Sequence, residues 1–388
     1  MVETAAHMVD HVLPRVPFRQ WVLSVPKRVR WHMRHKPHVV SGLLGIFLRA
    51  VETTVARQSP AAAAGARFGA VAFVHRSGSY LNPHVHYHVL VTDGVFSRGA
   101  DGDAVFHPAL DLDDDDIRAV QAKMRRRGLR WMQRHGHLDP AAVDTMDGAD
   151  HAGGWSVDAS VTIPDWDRHG LERLVRYCAR PPLAQERLGR LNDETLVYRL
   201  RRPTVDGCTE LILTPLELLD RLAHLVTPPR IHKHRYCGVL APNAGLRAAV
   251  VETAGPAGAT LQLLQEAQQK MGLGDDPNDA GGPAGDDDPK GRVRRAVTRC
   301  WAMLLARIYE CLPLLCPACG GAMRIIAFIL ERPVIEQILG HIGEPTTPPP
   351  VSPARPPPQG EMEFDPGTGL EEWPDMDQTA GTSDEIWE

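Results

Sequence analysis

The segment Leu81–Phe96, LNPHVHYHVLVTDGVF, sets His84, His86 and His88 at every second position of an otherwise apolar run. Successive strand side chains point to opposite faces, so a strand here puts the three imidazoles on one face and Val85, Tyr87 and Val89 on the other. Neutral imidazoles converging on one point are good divalent-metal ligands. Histidines that merely alternate in a core or on a surface are the other reading. The apolar face behind them and the turn pair Asp93-Gly94 directly after them favour a half-buried strand carrying a ligand face.

A second feature is Tyr177, within HGLERLVRYCARPPLAQERL from His169 to Leu188. Leu171, Leu174 and Val175 recur at helical spacing, and Pro181-Pro182 ends the helix just beyond the tyrosine. With Arg173, Arg176 and Arg180 around it, the phenol is placed to meet a phosphate. A core tyrosine beside solvated arginines is the alternative that local sequence leaves open.

The two features together resemble the HUH endonucleases, in which a histidine–hydrophobic–histidine pair binds a divalent metal and a helical tyrosine attacks DNA. The blocks RFGAVAFVHRSGSYLNPHVHYHVLVTDGVF, RYCARPPLAQERL, LTPLELLDRLAHLVTPPRIHKHRYCGVLAPN and CPACGGAMRIIAFI are similar, in order, to those of rolling-circle transposases of the insertion-sequence-91 family. The similarity runs from about residue 1 to about 345. It implies that His86 and His88 are the metal pair and Tyr177 the nucleophile. His84 and His75 compete as third ligand. His75 ends the apolar run GAVAFVH and would reach the site from a neighbouring antiparallel strand. His84 would make three ligands on one strand, spanning about 13 Å between the outer Cα atoms, and that strand would have to bend.

Family members with two catalytic tyrosines place them four residues apart, one helical turn, so that both face one site. The position four after Tyr177 is Pro181 and Tyr198 is too far along, so the resemblance is to the single-tyrosine branch. Relatives also carry a cysteine-rich zinc-binding segment upstream of VETAAHMVDHVLP. This chain begins almost on that block, which implies a member without the segment.

The implied chemistry needs these residue types. A phenol has a pKa of about 10 and is a weak nucleophile at neutral pH unless positive charge stabilises the phenolate. Divalent Mg²⁺ or Mn²⁺ would polarise the scissile phosphate, with Arg176 or Arg180 taking up developing charge. The implied product is a 5′-phosphotyrosine with a free 3′-hydroxyl, resealed to another strand without ATP. The absence of a GxxxxGK phosphate loop agrees with that.

A net charge of −5 looks wrong for a protein that binds DNA until it is divided along the chain. Residues 344–388 hold eleven acidic residues and one basic residue, a net of −10, which leaves +5 for the rest. Basic clusters stand out there: Lys27-Arg28 with Arg30, Lys123 with Arg125–Arg127, and Arg292 with Arg294-Arg295. Phosphate contact by Lys27, Arg28, Arg176 and Arg180 is the natural use, with single-stranded DNA as partner. No run approaches twenty uninterrupted apolar residues and the N-terminus is no signal peptide. With seven scattered cysteines, a cytoplasmic protein is expected rather than a disulfide framework.

The expected fold is α+β, an antiparallel sheet with helices on one face holding the tyrosine opposite the histidines. Strands are read at 18–25, at 69–75, through the histidine run up to the turn at Asp93-Gly94, and at 155–163, and helices at 40–57, 117–135 and through Tyr177. The acidic run Asp111–Asp116 suits the N-terminus of the second of these helices, with a metal role as the lesser reading.

The expected domains are a catalytic unit at 1–200, an accessory α/β region at 201–271, a disordered linker at 272–290, a small unit at 291–343 and a disordered acidic tail at 344–388. Beyond Pro182, short strands are read at 194–201 and 210–213 and a helix at 215–225. His232, His234 and Cys237 there invite a second metal site, or else a basic surface strand. In the small unit, Cys316 and Cys319 form one CxxC knuckle of a possible Zn²⁺ site, with Cys300 and Cys311 as the remaining cysteine candidates or else buried helix residues.

Two other function classes remain. An amidohydrolase barrel also opens on His-X-His, but it needs eight strand–helix repeats that are absent here. A decayed, non-catalytic DNA-binding transposase would keep the same scaffold. Within the superfamily, a plasmid replication initiator or relaxase would share the chemistry.

Overall fold

The computed structural model describes residues 2–255, apart from 111, 150, 201–202, 205–206 and 228–230, together with residues 305, 316, 319, 321, 323 and 329–346. The expected linker 272–290 lies outside the described residues, as do most of 291–328 and the tail beyond 346.

The chain runs α1 (Val2–His11), β1 (Phe18–Ser24), α2 (Lys27–His35), α3 (Pro37–Arg57), β2 (Gly69–Ser77), β3 (Pro83–Thr92), β4 (Gly94–Arg98), β5 (Ala104–Pro108), α4 (Asp114–Arg134), α5 (Pro140–Gly148), β6 (Ser156–Ile163) and α6 (Arg168–Cys178). Then follow β7 (Leu188–Arg190), β8 (Leu196–Arg199), β9 (Glu210–Leu213), α7 (Pro215–Leu225), β10 (His234–Gly238), α8 (Arg247–Val251) and, further on, α9 (Arg332–Ile342). The fold is α+β, centred on a five-stranded antiparallel sheet of order β10-β2-β3-β1-β6.

The two-residue period of the strands gives the sheet two different faces. Trp21 and Leu23 of β1, Ala70 and Ala72 of β2, and Val85, Tyr87, Val89 and Val91 of β3 pack with Val39, Leu43, Phe47 and Val51 of α3 and Val120, Met124 and Met132 of α4. The alternate positions, among them Phe18, Val71, Phe73, Leu90 and Val161, pack with Ala5, Met8 and Val9 of α1 and Leu171, Leu174 and Val175 of α6. Helices therefore cover both faces, not one. The second cover includes α1, whose apolar residues at 5, 8 and 9 follow the helical i, i+3, i+4 spacing.

Helix α3 alone among the described helices is long and apolar enough to cross a membrane. Its buried side is packed against the sheet and α4. Close approach there depends on small residues. A Cβ on Gly128 of α4 would lie 2.8 Å from the indole of Trp155, which is itself almost fully buried.

The acidic run ahead of α4 acts as a cap: the Asp113 side chain accepts from the Asp116 N–H, and Asp116 pairs with Arg57 and Gln58. In α7, Thr214 and Glu217 form a capping box.

The stretch 201–271, expected as a separate accessory region, contributes β10 to the central sheet, where His234 stands opposite Phe73 and Tyr236 opposite Val71. Strands β7-β8-β9 form a small sheet of their own. Its core of Tyr198, Leu213, Leu218 and Leu225 includes Leu81 from the β2–β3 connection. Leu81 sits at φ 54°, the left-handed region that costs a branched side chain roughly 1–2 kcal/mol. Burial of its side chain, worth about 1.5–3 kcal/mol, offsets that cost.

Gly128→Val should destabilise the protein by about 1–3 kcal/mol through overpacking against Trp155. Thermal denaturation should show a lowered midpoint. An unchanged midpoint would mean that the α4–β6 contact is looser than the geometry indicates.

Candidate metal and tyrosine site

On the α1/α6 side of the sheet, polar residues interrupt the apolar face: Gln20 and Ser24 from β1, His75 from β2, and His84, His86 and His88 from β3. Antiparallel pairing sets His75 directly opposite His86, and Phe73 opposite His88. One ring nitrogen each from His75, His86 and His88 lies within 4.8 Å of the others. It is the only such group of three among the described residues. Of the two candidate third ligands, His75 joins the pair. His84 is engaged elsewhere, with Nδ1 against the Arg30 guanidinium and Nε2 3.4 Å from Ser24 Oγ. Both the straight strand and this charge partner set His84 apart.

Carbonyl oxygens only accept, so two of the three tautomers follow from geometry. His75 Nε2 is 2.7 Å from the Cys178 carbonyl and must carry the proton, leaving its lone pair on Nδ1. His86 Nδ1 is 3.0 Å from the His84 carbonyl, which leaves the lone pair on Nε2. His88 Nδ1 lies 2.8 Å from the Gln20 amide, and His88 Nε2 is buried with no hydrogen-bond partner among the described residues. Burial, opposed by the hydrogen bond to Cys178 and helped by Arg180, brings His75 down to about 4. Burial and the neighbouring imidazoles hold His86 well below the usual range, and burial, His75 and Arg180 do the same for His88. Neutral imidazoles converging with a partnerless buried nitrogen fit a divalent cation.

Helix α6 delivers the tyrosine. The Asp167 side chain caps it by accepting from the Gly170 N–H. Arg168 begins the helix, nearly fully buried, and its guanidinium donates to the carbonyls of Val9, Leu13 and Pro14 at 2.6–2.9 Å. A cation on the Val9 carbonyl, in the last turn of α1, is where the helix dipole favours it, and with the carbonyls of Leu13 and Pro14 just beyond it ties α6 to α1. Tyr177 falls in the last turn, 7% exposed, with its ring edge-on to His88 at 5.6 Å between centroids. Arg180 lies over the Tyr177 ring, 4.1 Å from its centroid. Arg176 is half-buried and its Nε lacks a partner among the described residues.

The other sequence candidates lie apart from this cluster. Lys27 and Arg28 are exposed in the first turn of α2, the helix whose Arg30 reaches His84. Tyr198 is buried in the core of the small sheet. His234 and Cys237 sit on the edge strand β10, outside the three-residue group. Cys316 is half-buried and Cys319 exposed, with the Cys316 N–H donating to the Gly321 carbonyl at 2.9 Å. Cys300 and Cys311 lie outside the described residues. Sequence reasoning missed Gln20 and Arg30 as partners of the histidines. Gln20 stands 68 residues from His88, and nothing local to FRQWVLS marks it.

Residues 69–247 match the model of a family described as "Putative transposase". The matched stretch holds His75, His86, His88, Tyr177 and Arg180, and it supports a transposase, a DNA-processing enzyme. No curated protein and no solved structure matches the chain.

The buried histidines make acid stability a test of the site. A histidine whose folded pKa lies below its unfolded value of about 6.5 is stabilising above pH 6.5, and that stability is lost as pH falls through the folded value. For His75, at about 4 when folded, the loss is on the order of 3 kcal/mol between pH 6.5 and 4. Urea titrations in chelator should show the midpoint falling over that window, less steeply in His75→Asn. A pH-independent midpoint would contradict burial of neutral imidazoles.

Proposed function

We propose that the chain is a single-tyrosine HUH transposase acting in the cytoplasm, nicking and rejoining single-stranded DNA at the ends of a mobile element. The observation that carries this reading is the packing of Tyr177 against His88, under the guanidinium of Arg180 and beside the three-histidine cluster. Arg180 over the ring and His88 at its edge give the Tyr177 phenol polar neighbours beyond its packing in the apolar cluster, which supports this reading.

His75, His86 and His88 would hold the divalent cation, which supplies polarisation of the scissile phosphate. Three imidazoles favour Mn²⁺ over Mg²⁺, which prefers oxygen ligands. The remaining chemistry falls to side chains. The phenol of Tyr177 loses its proton as its oxygen attacks phosphorus. The 3′-oxygen of the upstream nucleotide leaves and takes up a proton, and the 5′-phosphate stays on the tyrosine. Arg180, over the ring, stabilises the phenolate and the charge that develops on the phosphate. Attack by a 3′-hydroxyl of a second strand reverses the step and frees Tyr177, so phosphodiester bonds are conserved and no nucleotide triphosphate is needed. Lys27, Arg28 and Arg176 provide further phosphate contacts in this reading, and Cys316 with Cys319 half of a Zn²⁺ site.

End-labelled single-stranded DNA from the element's termini, incubated with Mn²⁺ and run on a denaturing gel, should yield a covalent protein–DNA adduct. Chelator should abolish it, as should Tyr177→Phe, while Arg180→Ala should slow its formation by about 10²-fold. An adduct that persists in Tyr177→Phe would sink the tyrosine mechanism. DNA binding without any adduct would favour a scaffold that has lost its chemistry.

A further inference from the structure

Each histidine of the cluster has its other ring nitrogen held by the protein. For His75 and His86 the holder is a backbone carbonyl, whereas for His88 it is the side-chain amide of Gln20 on β1. That amide is fully buried, and the contact leaves two buried atoms without partners: Gln20 Oε1 and His88 Nε2. The amide orientation decides which ring nitrogen of His88 carries the proton. With Gln20 Nε2 facing His88 Nδ1, the amide donates, so the ring proton must sit on Nε2, where nothing accepts it. A carboxamide turned by 180° occupies the same space with O and N exchanged. Oε1 then accepts Nδ1–H, and it also faces the Cys178 thiol, whose Sγ lies 3.5 Å from that amide position. His88 Nε2 then carries a lone pair.

We propose that Gln20 is the positioning residue of the cluster: its side-chain carbonyl accepts Nδ1–H of His88 and fixes the tautomer whose Nε2 lone pair faces His75 and His86. The inference rests on the metal-site reading above. It gives all three histidines one plan, a hydrogen-bond acceptor behind each ring and a lone pair in front. Orienting acceptors of this kind set ligand geometry and basicity. Gln20 also joins the histidines to the tyrosine helix, because Cys178 follows Tyr177 and its carbonyl holds His75.

Two measurements on the full chain test it. In metal-free protein, long-range ¹H–¹⁵N spectra of ¹⁵N-histidine samples, assigned with His88→Asn, should show His88 protonated on Nδ1. A proton on Nε2 would overturn the proposal, whatever metal does. Calorimetric titration with Mn²⁺ should then show Gln20→Leu binding about 10–100-fold more weakly than wild type. Gln20→Glu, which keeps an acceptor and removes the donor, should stay within a few-fold of wild type. A merely space-filling role predicts equal losses in the two variants, and wild-type affinity in Gln20→Leu would be equally fatal. Should Gln20→Leu fail to fold, the tautomer and Gln20→Glu still decide. If wild type itself binds no Mn²⁺, the metal reading fails while the spectra still test the tautomer.

Discussion

The pairing of β2 with β3 is the constraint from which the rest follows. Its register sets His75 opposite His86, Phe73 opposite His88 and Val71 opposite Leu90. Because side chains alternate with a period of two, a slip of one residue would exchange the faces. The imidazoles would enter the α3/α4 core, and Tyr87 and Val89 would face the tyrosine helix. Several interactions oppose such a slip. Tyr87 Oη, buried in the α3 layer, donates to the Val40 carbonyl at 2.8 Å. At the other end of β3, Thr92 Oγ1 accepts from the Gly69 N–H and donates to the Gly94 carbonyl, at 3.0 and 2.9 Å. Gly94 itself admits no Cβ, which would lie 2.3 Å from the His107 carbonyl oxygen.

That register costs stability. Apolar residues at 75, 86 and 88 would bury more favourably than imidazoles, whose polar nitrogens must each be satisfied. The sheet offsets this with its two apolar clusters. The larger one, on the α3/α4 side, has no buried histidine. The histidine cluster lies on the α1/α6 side, where α6 presents Tyr177, so the three imidazoles and the phenol share one desolvated face. Arg180 lowers the protonation of His75 and His88 while lying over the Tyr177 ring. A positive group that keeps ligands neutral and a phenolate charged serves both halves of the proposed chemistry.

What was legible in the sequence was periodic or local. Alternation placed His86 and His88 on one face, and the helical spacing of Leu171, Leu174 and Val175 placed Tyr177 near a helix end; the structure has both. His75 was within reach because its strand is the immediate neighbour of β3. Contacts that join distant segments were hidden. Gln20 and His88, Arg168 and the end of α1, and β10 on the edge of the sheet meet only after the chain has closed on itself. No periodicity records a partner 68 or 154 residues away. The expectation of helices on one face failed for the same reason: VETAAHMVDH is amphipathic, but its partner face is assembled from β1, β2, β3 and α6.

The matched stretch 69–247 contains the three histidines and the tyrosine, yet the site is not built from it alone. Strand β1, at residues 18–24, lies between β3 and β6 in the sheet. It carries Gln20 behind His88 and Ser24 beside His84. Helix α1 packs on α6, and the carbonyls of Val9 in its last turn and of Leu13 just beyond it hold Arg168 at the start of the tyrosine helix. Without residues 2–24, β3 would have an unpaired edge and the Arg168 guanidinium would lose the carbonyls of Val9, Leu13 and Pro14. A buried cation stripped of its acceptors is strongly destabilising, and the element that would move is the one bearing Tyr177. The unit that holds the histidine cluster and Tyr177 in place therefore includes α1 and β1, upstream of the matched stretch.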